Sequence, residues 1–133
     1  MIVVDTNIIG YLFLTSESSA SAEQALIKDS EWAAPILWRS EFRNVLALYM
    51  RKKIIKLEQA QRIMDEAREL LKGREYEVPS YEVLRLASES SCSAYDCEFI
   101  ALANDLKTPL ITVDKQLLKA FPSTAVSLKS YCR

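Results

Sequence analysis

Apolar positions along the chain follow two rhythms. Short apolar or β-branched runs predict strands at Ile2-Val3-Val4, Glu31 to Ala34 (stopped by Pro35), Tyr76 to Val78, Leu110 to Val113 and Ala125 to Leu128. Between them the period is helical. A short helix is expected from about Asn7 and another over Ser19 to Lys28. From Leu37 onward Trp38, Phe42, Val45, Leu46 and Tyr49 recur at helical spacing. Leu57, Ala60, Ile63, Met64, Ala67, Leu70 and Leu71 repeat it, closed by Gly73 in a C-cap position. Tyr81 to Ala87, Ala94 to Leu106 and Lys115 to Ala120 complete the predicted helices. Short strands alternating with helices imply an α/β fold of βα units, with a parallel sheet covered on both faces. No linker or internal repeat interrupts the pattern, so residues 1–133 are expected to form a single domain. The Leu57–Leu71 stripe suits core packing by default and a dimer surface as the alternative.

Composition narrows the chemistry. Half the residues are apolar and 26% are charged, an ordinary globular balance, but only Gly10 and Gly73 are glycine. Dinucleotide fingerprints and Walker loops need several glycines for the backbone to approach phosphates, so both are excluded. There is no His, which removes His-based acid/base catalysis, Ser-His and Cys-His pairs and most zinc sites. Three cysteines, Cys92, Cys97 and Cys132, lack paired CxxC spacing and read as reduced thiols of a cytoplasmic protein. The apolar Ile8 to Leu14 run has no basic segment before it, so no secretory signal is expected. Nor does any run approach the ~20 residues of a membrane span. Net charge is −1, yet Arg39, Arg43, Arg51, Lys52, Lys53 and Lys56 form a basic stretch with Glu41 as its only acid. A solvated helix face is the favoured reading and a phosphate-contact surface the alternative.

The chemistry left open is carboxylate chemistry. Asp5 and Asp114 each follow a predicted strand, and in a parallel sheet the strands' carboxyl ends share the edge where ligands bind. Either residue also suits an N-cap. Thr112, two residues before Asp114, would point to the same side. Asp96 sits in Ser93-Ala94-Tyr95-Asp96, a capping-box pattern, but shares a helix face with Ile100 and Ala103 and so leans inward. Glu98 lies about 200° further round that helix and is left out. Glu41 borders an apolar stripe, with Asn44 one turn later able to hydrogen-bond it. Singly, each acid has a bland explanation. Jointly, four acids on one edge would repel and protonate unless a cation compensated. An all-oxygen set suits Mg²⁺ or Mn²⁺, which supports phosphodiester hydrolysis without His.

Four segments then make a pattern: Val4-Asp5-Thr6-Asn7, Glu41-x-x-Asn44-Val-Leu, Ser93-x-Tyr-Asp96 leading into Phe99-Ile-Ala-Leu-Ala103, and Leu-Ile-Thr112-Val-Asp114. In order and spacing they resemble the PIN-domain family, and more narrowly the VapC-type toxins of prokaryotic toxin–antitoxin pairs. The resemblance covers essentially the whole chain. It implies a three-layer α/β/α sandwich around a parallel sheet of about five strands, and an Mg²⁺-dependent endoribonuclease. It also implies a homodimer and a cognate antitoxin that blocks the site. Residue by residue, Asp5, Glu41, Asp96 and Asp114 match the acidic quartet, Thr112 its small hydroxyl residue, and Asn7 and Asn44 supporting positions. Two departures stand out: Cys97 follows the third acid where Ala is common, and no further acid accompanies Asp114, which leaves the metal count open.

In this reading Asp5, Asp96 and Asp114 hold a metal, and Glu41 completes the shell or orients water. Arg39, Arg43 and Lys115 are candidate phosphate contacts because they neighbour the acids in sequence. The alternatives are a non-catalytic PIN-like module for protein or RNA binding, and an Mg²⁺-dependent phosphoryl-transfer domain. A dehalogenase-like phosphatase would want Asp-x-Asp after the first strand, where Asn7 stands at the second position. A receiver would want an adjacent acidic pair there. The RNA target and the dimer surface are not readable from one chain.

Overall fold

A computed structural model describes residues 1–133, the whole chain. Five strands form one all-parallel sheet: β1 (Ile2–Val4), β2 (Trp32–Pro35), β3 (Glu75–Tyr76), β4 (Leu110–Thr112) and β5 (Ala125–Ser127). Their order is β3-β2-β1-β4-β5. The helices are α1 (Thr6–Phe13), α2 (Ser19–Lys28), α3 (Trp38–Arg51), α4 (Leu57–Leu71), α5 (Ser80–Ser88), α6 (Ala94–Leu106), α7 (Lys115–Ala120) and α8 (Leu128–Tyr131). From β1 the chain winds outward to β3, then returns to add β4 and β5 on the other side. With right-handed crossovers this reversal puts α1–α4 on one face and α5–α7 on the other. The packing agrees: α6 lies on β1, β2 and β4, whereas α4 packs on β2 and α1 against α2 and α3. The result is the expected α/β/α sandwich. Its topological switch point falls between β1 and β4, the strands that end at Asp5 and Asp114.

The core is one cluster of 31 buried residues, with Trp32, Trp38, Phe42 and Phe99 its largest members. The α4 stripe resolves toward packing, since Ala60, Met64, Ala67 and Leu71 are buried while Leu57 is exposed. Lys72, not Gly73, caps α4 (φ −56°, ψ 128°); Gly73 takes φ +80° in the type II turn that follows, closed by the Arg74 N–H on Leu71 O at 2.9 Å. No helix is long and apolar enough to cross a membrane.

Several boundaries differ by a residue from expectation, among them that of β4, which ends at Thr112. Pro35 belongs to β2 and does not stop it, because Ala34 and Ile36 on either side donate to β3 and its missing N–H costs that ladder nothing. β3 is Glu75–Tyr76, one residue earlier and shorter than the apolar run suggests. β5 ends at Ser127, whose hydroxyl accepts from the Ser130 N–H and turns the chain into α8, a helix the sequence pattern did not predict.

Candidate active site

The carboxyl ends of β1 and β4 bring the first acids together. Asp5 leaves β1 and is 7% exposed. Its Oδ1 accepts from the Thr6 N–H at 2.8 Å, capping α1, and its Oδ2 accepts from the Thr112 hydroxyl at 2.7 Å. Asn7 Nδ2 adds a longer contact to Oδ2 at 3.4 Å, while Asn7 Oδ1 is buried with no partner. Thr112 Oγ1 in turn accepts from the Asp114 N–H at 3.0 Å, tying both strand ends into one unit. Asp114 Oδ1 caps α7 through the N–H groups of Gln116 (2.8 Å) and Leu117 (3.1 Å), and its second oxygen has no protein partner. Capping and site membership are therefore compatible: a cap uses one oxygen and fixes the rotamer of the other.

Glu41 arrives from the first turn of α3. Its Oε1 accepts from the Thr6 hydroxyl at 2.6 Å, so α1 holds it in place. Sequence reasoning assigned that support to Asn44, which is exposed and makes no hydrogen bond; Thr6 was missed. The only available signal was a hydroxyl residue directly after the strand-end acid. Asp96 starts α6, where Ser93 Oγ accepts from its N–H at 3.1 Å. The reciprocal half of the capping box does not form, leaving the carboxylate free of the Ser93 amide.

Electrostatics join the four acids. Burial pushes the Asp5 carboxyl up to about 6, reinforced by the charges of Glu41 and Asp96 and opposed by its Thr112 and Thr6 bonds. Burial also raises Glu41, with Asp96 adding to it and Thr6 opposing. Asp96 is raised by burial and then by Asp114. No Lys or Arg lies within ion-pair distance of any of the four. The molecule's ion pairs join the N-terminus to Asp29, Arg39 to Glu75, and Arg85 to Glu82 and Glu89. Glu98, set aside because it points away from Asp96, is raised by burial and by Glu41. It lines a cleft of about 460 Å³ with Ile36, Glu77, Val78, Ser80 and Leu84, so its exclusion holds for Asp96 but not for Glu41.

The basic candidates separate. Arg39 is taken by Glu75, with Nε to Oε2 at 2.6 Å and Nη2 to Oε1 at 2.5 Å. Arg43 is exposed and bonds Ser40 Oγ at 3.1 Å. Lys115 is exposed and unpaired, directly after Asp114.

The residues fit a hard divalent ion. Every donor is oxygen, Asp5, Glu41 and Asp96 are each raised in part by a neighbouring acid with no cationic side chain among them, and the orphaned Asn7 Oδ1 lies beside Asp5. No three acids or thiols close into a ready-made cage. Mg²⁺, which keeps several waters and takes one or two carboxylates directly, does not need one.

Comparison with known proteins gives a consistent answer. The family model for the PIN domain matches residues 2–121. The chain is 32% identical over 127 residues to Ribonuclease VapC3 of Pyrobaculum aerophilum, covering 92% of this chain and 95% of that one. Among solved structures, PAE2754 from Pyrobaculum aerophilum superposes with a TM-score of 0.78 at 23% identity, over 98% of this chain and 85% of that one. A toxin-antitoxin complex from Klebsiella pneumoniae gives a TM-score of 0.66 at 20% identity, over 88% and 90% of the two chains. Identities that low speak to the fold.

Proposed function

This chain belongs to the PIN-domain family, and from that premise we propose that it is a divalent-metal-dependent endoribonuclease, the toxin of a toxin–antitoxin pair, acting through Asp5, Glu41, Asp96 and Asp114. One observation carries the reading: four carboxylates share the switch-point edge, three are driven toward protonation, and none has a cationic partner. A purely structural cluster would have been paired or neutralised. The name of the 32% identical relative supports ribonuclease, and a solved toxin-antitoxin complex of the same fold supports an antitoxin partner.

Asp5, Asp96 and Asp114 would hold Mg²⁺ or Mn²⁺, with Glu41 nearby. When bound, such an ion supplies positive charge against the phosphate oxygens and lowers the pKa of water at the site. Thr112 and the Thr6 amide keep Asp5 in one rotamer; the Thr6 hydroxyl keeps Glu41 where it can orient the attacking water and accept its proton. In-line attack on phosphorus leaves a 5′-phosphate and a 3′-hydroxyl, without use of the 2′-hydroxyl. A single domain over 1–133, a homodimer and a cytoplasmic setting belong to the same reading.

The test is cleavage of mixed RNA with added Mg²⁺, comparing wild type with Asp5→Asn and Asp96→Asn. Activity persisting in both variants refutes the site, and a 2′,3′-cyclic phosphate product refutes the mechanism. Failure of the antitoxin-free protein to cut any RNA or single-stranded DNA would point to a binding module.

A further inference from the structure

Between α7 and the loop that joins α5 to α6 lies a polar cleft of about 550 Å³ bordered by Glu89, Ser90, Ser91, Lys115, Gln116 and Lys119, and Cys92 of that loop feels the charges of Asp96 and Asp114. It begins where the carboxylates end, since Lys115 follows Asp114 and Ser91 is five residues before Asp96. Gln116 Nε2 donates to Ser91 O at 2.9 Å and lies 3.2 Å from Ser91 Oγ, so the two rims are bonded to each other. Lys115 and Lys119 stand one turn apart on α7, both exposed and in none of the molecule's ion pairs. The cleft's one acid, Glu89, is engaged by Arg85 at 2.9 Å.

Of the other basic groups near the acids in sequence, Arg43 is exposed and bonds Ser40 Oγ on its own helix at 3.1 Å. Arg39 is held by Glu75. Arg51, at the far end of α3, lies about 15 Å along the helix axis from Glu41, given ~1.5 Å per residue. A nucleic-acid strand whose scissile phosphate sits at four acids must have its flanking phosphates neutralised elsewhere, and free lysines beside the acids do this.

We propose that the Lys115–Lys119 cleft binds the phosphate backbone of single-stranded RNA next to the scissile bond, setting the direction in which the strand leaves the acids. This rests on the ribonuclease reading, and binding can be measured apart from cleavage. In an Asp96→Asn background, anisotropy of a labelled 12-nucleotide single-stranded RNA is titrated at several salt concentrations. Lys115→Ala/Lys119→Ala is expected to weaken binding about tenfold and to flatten the slope of log K against log salt by about 1.4, two contacts at ~0.7 each. Lys115→Arg/Lys119→Arg should bind as the parent does. Arg62→Ala/Lys129→Ala, which removes two exposed charges elsewhere, should leave the slope unchanged. A single-stranded DNA of the same sequence should respond equally, because lysine reads phosphate and not the 2′-hydroxyl. An unchanged slope in the Lys115/Lys119 variant, or an equal loss in the Arg62/Lys129 variant, overturns the proposal. If the wild type cuts no RNA while the lysine pair still sets the slope, the cleft stands and the nuclease reading falls.

Discussion

Glu75 and Asp5 are both largely removed from water on the same sheet, and the protein holds them in opposite ways. Glu75 on β3 accepts from Trp38 Nε1 at 2.7 Å and from the Arg39 guanidinium, which holds its carboxyl below the usual range. Asp5, two strands away, accepts only from neutral donors and faces Glu41 and Asp96. One carboxylate is stable because it is ionised and paired; the other is ionised at neutral pH only against burial and like charge. That unrelieved charge is the ground on which Asp5, and not Glu75, is proposed as a site residue.

The widest separation should appear in activity. Asp5→Asn or Asp96→Asn is expected to lower Mg²⁺-dependent RNA cleavage by at least about 100-fold. Glu75→Gln should retain the wild-type rate per folded molecule. A comparable loss in Glu75→Gln would erase the distinction.

Stability should move the opposite way. Asp5 binds its proton more tightly when folded, with a pKa raised from 3.8 to about 6. Metal-free stability therefore falls as pH rises through that window, by up to about 3 kcal/mol. Thermal melts of Asp5→Asn between pH 4 and pH 7 should lose this decline and exceed wild type at neutral pH. Added Mg²⁺ or Mn²⁺ should raise the melting temperature of wild type but not of the variant. A wild-type melting temperature that climbs from pH 4 to 6 would contradict the electrostatic account.

Glu75→Ala should cost about 2 kcal/mol in denaturant titration, since it strands the Trp38 indole N–H and the Arg39 charge. Here the sign reverses: the Glu75 contribution is present above its unfolded pKa of about 4.5 and is lost as pH falls through the lowered folded value. The smallest effect is expected at Thr6→Val, which removes the hydroxyl on Glu41 and should reduce cleavage about tenfold with RNA binding unchanged. Wild-type activity in that variant would show that Glu41 needs no positioning from α1.

Much of this contrast is invisible along the chain. Glu75 lies outside every sequence motif, and Arg39 reads as a candidate phosphate contact because it stands two residues from Glu41. Their pairing spans 36 residues and depends on β3 lying beside β2. The support of Glu41 by Thr6, 35 residues away, depends likewise on α1 packing against α3. Local spacing favoured Asn44, whose side chain points to water. Asp96 shows the same limit: its capping-box spacing is intact, but only the Ser93 half forms.

By itself the sequence determined the alternation of strands and helices, the order of the four acids and the absence of any His or glycine-rich alternative. Hydrophobic period and residue type are local properties and survive being read in one dimension. Tertiary structure alone decided which acids are left without a counter-charge, which lysines remain free beside them and which hydroxyl holds Glu41. Those outcomes are set by burial and by distances between residues far apart in the chain, and they exist only once the sheet has brought β1 and β4 side by side.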